Sequence, residues 1–378
     1  MKVSSYSHSA GAALLTLMAL TSWPKPGRTQ EMGAVWGVWG GRVGDIEIRM
    51  CAQSDPGRPF NDDFAAIYTT QDYQIELLDR GAGAIWQPRL SPENTVRFTS
   101  LADGSLRLEI SPADLWSGVT LTPMEVAGDA SPCTTQAFNG PRTFLPDPVV
   151  ASVKLDGVSY EVVSIIDPSG HGGVSTFQLP WTDPGAATIN TWLSEILPTT
   201  AEEAPYYSCT LDALRFGAGS LWELRRVPDL ITDQFVVVKE TQDAFCGGAH
   251  PSSSTEWTVF DRETGQQIDT SRWIREDAFY DLGPYAGQGP EIGNPEVARG
   301  FRELMVEAFA ATNPDPTCAG LLDEIEVWDV RPGRDGLILS PSDIGYFGGC
   351  GVELKLNAQD IMPYHRGPVF LHQLKTTP

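Results

Sequence analysis

The chain has 378 residues, of which 41% are hydrophobic and 10% aromatic, and its formal net charge is −23. This composition excludes a disordered chain, and the length allows two or three domains with cores of their own. The acidic balance argues against nucleic acid and anionic lipid as partners and favours cationic ones, although solubility alone also explains it.

The first thirty residues predict a secretory signal peptide. Lys2 lies in a short polar start, residues 10–20 are apolar, and the polar stretch that follows is broken by proline. The apolar run is too short for a membrane span, which takes about 20 residues. We therefore expect a periplasmic or secreted protein with no membrane span after removal of the signal. The alternative is an apolar N-terminus on a cytosolic protein.

Residues 33–125 predict an all-β module. Residues 46–50, 73–77 and 106–110 alternate between apolar and polar side chains, and turn residues separate these runs. The pattern is typical of a small antiparallel barrel or sandwich. Residues 126–150 are rich in Pro, Gly, Asp and Thr, and they predict a linker.

Residues 151–378 predict a second domain with few helices and mostly antiparallel strands. Asp183 and Pro184 are typical of the N-cap and first position of a helix, and Pro198 ends it. A second helix is expected to start at Asn294-Pro295 and to stop at Asn313-Pro314. The predicted fold class is therefore α+β, with an N-terminal all-β module followed by an antiparallel sheet domain with two main helices.

Within the second domain, residues 234–274 predict a β-hairpin. Two apolar, β-prone runs at 235–238 and 257–260 are joined by the sequence Cys-Gly-Gly-Ala-His-Pro at 246–251. The two glycines allow a positive φ where the chain reverses. The sequence Asp-Arg-Glu-Thr-Gly at 261–265 then predicts a tight turn.

Six cysteines are present, and no two of them have the C-x-x-C spacing, which argues against zinc and against a thioredoxin-type redox pair. Six cysteines allow 15 connectivities. Sequential pairing keeps each bond within one predicted module, so we expect the disulfides Cys51–Cys133, Cys209–Cys246 and Cys318–Cys350. The alternative is buried free thiols in a reducing compartment.

Several motifs of the second half occur in the order found in one known family. They are Ile189-Asn190, the Gly-Gly-Ala-His-Pro turn at 247–251, the turn ending at Thr264-Gly265, and Gly336-Leu337 followed by Asp343-Ile344-Gly345-Tyr346. Over residues 155–365 the chain resembles the C-terminal domain of RsiV-type anti-sigma factors and PdaC-type peptidoglycan deacetylases, a domain of unknown function. Residues 33–125 resemble an uncharacterised β module of proteobacterial exported proteins.

The resemblance implies a fold and an extracytoplasmic binding role rather than an enzyme class. The membrane helix and sigma-binding segment of RsiV-type proteins are not recognised in this sequence, nor is the deacetylase domain of PdaC-type proteins. Ser342 stands where the family has its closing tyrosine. Because RsiV-type domains bind lysozyme, the resemblance implies a cationic wall-active enzyme as one candidate partner.

Three residues are predicted to bind a ligand: His250, Tyr346 and Phe347. For His250 three roles are open, because its ring can tie the turn to the neighbouring strand, face a ligand groove or act as a general base. The Gly-His-Gly-Gly sequence at 170–173 resembles half of an oxyanion loop. Since no G-x-S-x-G elbow follows, we interpret it as a glycine turn between strands.

The tryptophans of the β module, Trp36, Trp39 and Trp86 among them, are either core residues or a stacking platform for sugar rings. We predict no catalytic residue, no metal site and no cofactor, because the sequence contains neither G-x-S-x-G nor H-E-x-x-H. The predicted function is that of an exported, non-catalytic cell-envelope protein that binds another protein or a cell-wall glycan. The alternatives are a peptidoglycan-directed hydrolase and a structural factor in envelope assembly.

Overall fold

The computed structural model describes most of the chain from Val35 onward. The predicted signal peptide at 1–30 lies outside the described residues, as do Tyr346 and Phe347. The described residues are 35–54, 63–81, 85–112, 116–126, 131–155, 157–279, 295–312, 318, 322, 325, 327–342, 350 and 352–366.

Eight strands in the N-terminal part of the chain form a closed barrel. Each strand pairs antiparallel with the next, and the first strand pairs with the eighth, which closes the ring. The strands are β1 (Gly37–Val43), β2 (Ile46–Ser54), β3 (Asp63–Thr69), β4 (Glu76–Arg80), β5 (Ile85–Pro88), β6 (Thr95–Ser100), β7 (Leu106–Ser111) and β8 (Thr120–Met124).

Alternating side chains build the core of the barrel. In β7, Leu106 and Leu108 are buried in the interior, whereas Arg107 and Glu109 are exposed on the outer face. The same period of two recurs because successive side chains of a strand point to opposite faces of the sheet.

Trp39 and Trp86 belong to this interior. Both are buried, and the Trp86 ring lies edge-on to Phe98 with 6.1 Å between ring centroids. The Trp39 indole Nε1 donates to the carbonyl of Val35 at 3.0 Å, which satisfies its one donor. These two tryptophans are therefore core residues, and the sugar-stacking interpretation is wrong for them.

The segment predicted as a linker is packed against the barrel where the structure describes it. It contains α1 (Gln136–Asn139), and its Phe138 is fully buried. Cys133 is bonded to Cys51 of β2, and Tyr68 donates a hydrogen bond to the carbonyl of Phe138. A disulfide and an apolar contact thus hold this segment on the outer wall of the barrel.

A six-stranded sheet follows, in the order β14-β13-β12-β11-β10-β9. All its pairs are antiparallel except β11 with β12, which are parallel because the chain between them makes a crossover that contains two helices. The strands are β9 (Val149–Leu155), β10 (Val158–Ile166), β11 (Gly172–Gln178), β12 (Leu221–Ile231), β13 (Phe235–Phe245) and β14 (Ser252–Asp261).

The crossover contains one predicted helix and one that the sequence did not reveal. The predicted one is α2 (Pro184–Ser194), whose Asp183 N-cap carboxylate accepts a hydrogen bond from the Ala186 N–H at 2.9 Å. The second is α3 (Pro205–Arg215), and its N-cap residue Ala204 supplies no capping side chain.

The last part of the chain forms a three-stranded antiparallel sheet packed against a long helix. Phe301, Met305 and Phe309 of the helix share one core with Leu339 and Leu354 of the sheet. The elements are α4 (Pro295–Thr312), β15 (Trp328–Pro332), β16 (Gly336–Pro341), β17 (Leu354–Asn357) and α5 (Ala358–Ile361). The predicted α+β class is confirmed.

The three sequential disulfides are also confirmed: Cys51–Cys133, Cys209–Cys246 and Cys318–Cys350 are bonded. Disulfides form and persist in oxidising compartments, so their presence points away from the cytoplasm. No helix in the described part of the chain is both long and apolar enough to cross a lipid bilayer.

Candidate functional site

One end of the barrel holds a cavity of about 240 Å³. It lies at the end where β3 turns into β4 and β5 into β6. Side chains of the barrel interior form its floor and wall, namely Ile48, Ile67, Leu78, Val96, Ile110 and Trp116. Its rim is polar and is formed by Thr69, Asp72, Gln74, Glu76, Ser91 and Asn94. An apolar floor with a few polar groups at the rim is typical of a small-molecule site, and the mouths of barrels commonly hold such sites.

A second cavity of about 320 Å³ lies between the outer wall of the barrel and the six-stranded sheet domain. The barrel contributes Leu77 and Arg89, and the other wall is formed by Thr210, Leu214, Ala218, Gly219, Ser220, Leu221 and Phe245. Both cavities share Ile75, Leu90 and His171. We call the two adjoining cavities the junction cleft.

A glycine turn carries His171 to the barrel mouth. The turn joins β10 to β11, with Gly170 at φ +73° and its N–H donating to the carbonyl of Asp167 at 2.8 Å. Gly172 follows, and a Cβ there would lie 2.1 Å from the carbonyl oxygen of Trp222 on the parallel strand β12. The Gly-His-Gly-Gly sequence is thus a turn as predicted, and it also brings a histidine to both cavities.

Two carboxylates, Asp72 and Glu76, lie on the rim of the barrel-mouth cavity. Glu76 begins β4, and its Oε1 accepts a hydrogen bond from the N–H of Leu90 at 3.2 Å. Burial raises the pKa of Glu76 above the ordinary value of 4.5, and the backbone N–H donors of Leu90 and Arg89 oppose that rise. Asp72 lies in the preceding turn, where its Oδ1 accepts from the Gln74 N–H at 3.3 Å. Both acids therefore give the mouth a negative potential.

Arg89 lines the second cavity, but its charge is already paired. Its Nε lies 2.9 Å from both carboxylate oxygens of Asp79, and Nη2 adds a contact of 2.6 Å to Asp79 Oδ1. A third nitrogen, Nη1, donates to the carbonyl of Gly217, just beyond α3. Arg89 thus connects the barrel to the helical crossover.

The hydroxyl groups in the second cavity bond to each other. Thr210 Oγ1 donates to the carbonyl of Tyr206 at 2.9 Å and lies 2.9 Å from Ser220 Oγ. A hydroxyl has only one hydrogen to donate, so Ser220 is the donor to Thr210. The Ser220 proton is therefore engaged in a hydrogen bond to a neutral hydroxyl, an arrangement that does not activate a nucleophile.

A buried polar cluster lies around the His171 turn. Arg142 is 5% exposed, and burial lowers its pKa while the negative charge of Asp167 opposes the change. Asp167 is itself buried and accepts a hydrogen bond from the Ser169 hydroxyl. Burial also raises the pKa of Tyr206 to about 12, so this phenol is neutral at physiological pH. The opposite charges of Arg142 and Asp167 thus act on each other between the segment after α1 and the turn that carries His171.

A third cavity, of about 480 Å³, lies between β12 and the three-stranded sheet. Polar and apolar side chains contribute about equally to its walls, and Asp229 and Glu353 lie on them. Both of these carboxylates are ion-paired to the buried Arg331. The two cavities of the junction cleft are more apolar than this one, and the carboxylates Asp229 and Glu353 are already ion-paired here, so the cleft is the stronger candidate site.

Of the three predicted ligand-binding residues, the structure describes only His250, and it lies away from the junction cleft. His250 is exposed in the turn after β13 and lines none of the three cavities above. Tyr346 and Phe347 lie outside the described residues, so their predicted role stays a prediction. Glu76 and Trp116, which the sequence did not single out, line one cavity because barrel closure brings the turns of one end together.

Comparisons with known proteins found distant structural likenesses. No family model matches the chain, and no curated protein sequence matches it. A DUF3298 family protein from Pseudomonas aeruginosa PAO1 is 13% identical, with a TM-score of 0.33, and the match covers 59% of this chain and 94% of that one. A DUF3298 family member from Bacteroides fragilis NCTC 9343 is 12% identical, with a TM-score of 0.34 and coverage of 62% and 99%.

Proposed function

We propose that this protein is an exported, non-catalytic binding protein of the cell envelope and that its ligand enters the junction cleft. The observation that carries the proposal is the cavity at the barrel mouth, which has an apolar floor, a rim of few polar groups and a continuation toward the sheet domain. An eight-stranded barrel is just wide enough to be filled by side chains or to hold one small ligand.

Export is supported by the three disulfides, which are stable only where thiols are oxidised. The resemblance to RsiV-type domains agrees with an extracytoplasmic binding role. It also suggests the class of partner, a cationic wall-active protein or the cell-wall glycan itself.

The polar groups of the cleft favour binding over catalysis. Ser220 and Thr210 hydrogen-bond to each other, and Arg89 is held by Asp79. Glu76 receives a backbone N–H, which orients its carboxylate at the rim. Such groups can orient a ligand without supplying an activated nucleophile.

The cleft can be tested by filling it. Leu90 is 76% exposed and lines both cavities, so Leu90→Trp obstructs the cleft with little effect on folding. The matched control is Leu101→Trp, because Leu101 lies in the β6–β7 turn at the opposite end of the barrel and is 36% exposed.

Binding of soluble muropeptides and of lysozyme is measured by calorimetry with the native protein and both variants. We expect at least one of these probes to bind, at least tenfold more weakly to Leu90→Trp and unchanged to Leu101→Trp. Equal binding to all three proteins places the ligand elsewhere and refutes the cleft. A cleared band on a peptidoglycan zymogram that disappears in the variant His171→Ala contradicts the non-catalytic proposal and favours the hydrolase alternative.

A further inference from the structure

We infer that the barrel-mouth cavity recognises an alkylammonium group, with the cationic nitrogen at Glu76 and the apolar chain along the floor beside Trp116. The inference rests on the proposed function, because it requires that the junction cleft takes a ligand. It adds the chemical class of the group that enters, which a cleft alone does not define.

The charge of the cavity selects a cation. Two carboxylates, Asp72 and Glu76, lie on its rim, and in the described part of the chain no lysine or arginine lines it. His171 is the one basic side chain of that lining. Arg89, in the neighbouring cavity, is neutralised by Asp79. Low-dielectric walls strengthen the field of carboxylates at such a mouth, which favours positively charged ligands.

Glu76 is the specific anchor. Its carboxylate is partly removed from water, and among the described residues no basic side chain forms an ion pair with it. The backbone N–H groups of Leu90 and Arg89 face the carboxylate, and the Leu90 N–H lies 3.2 Å from Oε1. These contacts fix the orientation of the carboxylate and leave acceptor capacity unused. A bound ammonium would supply the missing counter-charge, and a charge-assisted hydrogen bond of this kind is about twice as strong as a neutral one.

The floor of the cavity favours an apolar chain attached to the cationic nitrogen. Ile48, Leu78, Val96 and Ile110 present aliphatic carbon, and Trp116 presents an aromatic surface. Transfer of an alkyl chain from water to such a surface is favourable by about 0.8 kcal/mol per buried CH₂. A volume of about 240 Å³ suits one chain rather than a folded domain. The group is thus a cation on a short apolar stem.

Two sources supply this chemistry, a free alkylamine and the side chain of a lysine in a partner protein. Both place an ammonium on an apolar stem. They differ in whether the stem is attached to a peptide backbone, which must remain outside the barrel mouth.

The test uses the full mature chain and three probes with the same six-carbon stem. Hexylammonium carries the cation, hexanol is neutral, and hexanoate is anionic. We expect hexylammonium to bind at least tenfold more tightly than hexanol, and hexanoate more weakly than either. A tripeptide with a central lysine and blocked termini is the fourth probe. Tighter binding of the tripeptide than of hexylammonium assigns a protein side chain, and the reverse order assigns a free amine.

The variant Glu76→Gln keeps the shape of the side chain and removes its charge. We expect it to weaken hexylammonium binding at least tenfold and to leave hexanol unchanged. The control is Glu93→Gln, which removes an equal charge from the exposed β5–β6 turn without touching the cavity. If circular dichroism shows that Glu76→Gln unfolds the protein, the variant Asp72→Asn is used instead. Asp72 is exposed, so we expect this variant to weaken hexylammonium binding less than tenfold.

Several outcomes overturn the inference. If hexanol binds as tightly as hexylammonium, or if hexanoate binds best, the cavity does not select a cation, although the cleft as a binding site survives. Equal losses in Glu76→Gln and Glu93→Gln show only a general effect of net charge. If no probe binds and Leu90→Trp also leaves the binding of muropeptides and lysozyme unchanged, the proposed function falls together with the inference.

Discussion

At the scale of single residues, Glu76 connects the site to the stability of the fold. Burial raises the pKa of its carboxyl in the folded state, so the folded protein holds this proton more tightly than the unfolded chain does. The contribution of Glu76 to stability is therefore fully present below the unfolded pKa of about 4.5. It is lost as the pH rises through the folded pKa.

Glu76→Gln removes this titration, so we expect the variant to gain stability relative to the native protein as the pH rises from 4 to 7. The measurement is urea denaturation of both proteins at the two pH values. Glu93→Gln, with its exposed side chain, controls for the loss of one charge. A stability difference that is independent of pH, or that moves in the opposite direction, contradicts the prediction.

Arg331 connects the three-stranded sheet to the six-stranded sheet. It is 2% exposed in β15, and its Nε lies 3.1 Å from Asp229 of β12 while Nη2 pairs with Glu353. Its Nη1 donates to Ser340 at 2.7 Å, and the guanidinium lies 4.0 Å from the centroid of the Trp257 ring on β14. Few side chains other than arginine can form all of these contacts at once.

We expect Arg331→Met to lower the free energy of unfolding by about 3 kcal/mol, the low end for a broken buried ion pair, because both carboxylates still reach water. The control Arg225→Met breaks the exposed pair with Glu223 and is expected to change stability by less than about 1 kcal/mol. Chemical denaturation measures both. Equal losses of unfolding free energy in the two variants would show that the burial of Arg331 adds nothing to the stability of the fold.

At the scale of elements, the turn after β13 shows why its two glycines are not equivalent. Gly247 has φ +83°, and a Cβ there would lie 2.8 Å from the Cα of Ala213 in α3. Gly248 has no heavy atom within 4 Å of its Cβ position. The neighbouring Cys246 is bonded to Cys209 of α3. The turn is therefore held close to α3. At Gly247 this close approach leaves no room for a side chain, whereas at Gly248 it does.

Gly247→Ala is expected to lower the free energy of unfolding by about 1–3 kcal/mol, because it combines an unfavourable φ with a backbone contact. Gly248→Ala is the matched control and should change stability by no more than about 0.5 kcal/mol. Thermal unfolding of the two variants gives the comparison. A larger loss in Gly248→Ala would assign the second glycine, not the first, to the close approach.

Elements with strong local signals were predictable from the sequence, and those with weak signals were not. Asp183 and Pro184 predict the start of α2, because the capping carboxylate of Asp183 and the restricted φ of Pro184 both act within the first helical turn. For α3 no capping side chain is present, and residues 206–210 are Tyr-Tyr-Ser-Cys-Thr, all weak helix formers. The helix is stable because Tyr206 and Leu214 are buried on neighbouring elements, which is a tertiary effect.

At the scale of the whole molecule, α3 joins the barrel to the six-stranded sheet. Leu214 packs into a cluster with Phe64 and Tyr68 of β3. The buried amide of Gln53 in β2 donates to the carbonyl of Leu214 at 3.2 Å. Gly217 leaves room for Phe64, whose ring carbon would lie 2.6 Å from a Cβ at that position. Apolar packing and polar contacts thus act together across this junction.

We therefore expect the barrel and the sheet domain to unfold in one transition, with coincident curves from far-ultraviolet circular dichroism and tryptophan fluorescence. Leu214→Ala should lower the free energy of unfolding by about 2–5 kcal/mol, as for a buried leucine. Val306→Ala, at a half-exposed position of α4, is the control and should have little effect. Two separate transitions in the native protein would show that the junction does not couple the two parts.

The α+β class and the local turns could be read from the sequence, because alternation, capping and glycine placement act over a few neighbouring residues. The cysteine pairing was one of 15 possible connectivities, favoured only because sequential pairs stay within one predicted module. The closure of the eight strands into a ring, the inward orientation of Trp39 and Trp86, and the position of His171 rather than His250 at the junction cleft depend on long-range packing and could not be read from the sequence. Residues such as Glu76 and Trp116 lie far apart in the chain, and no local pattern encodes the strand register that brings them to one mouth.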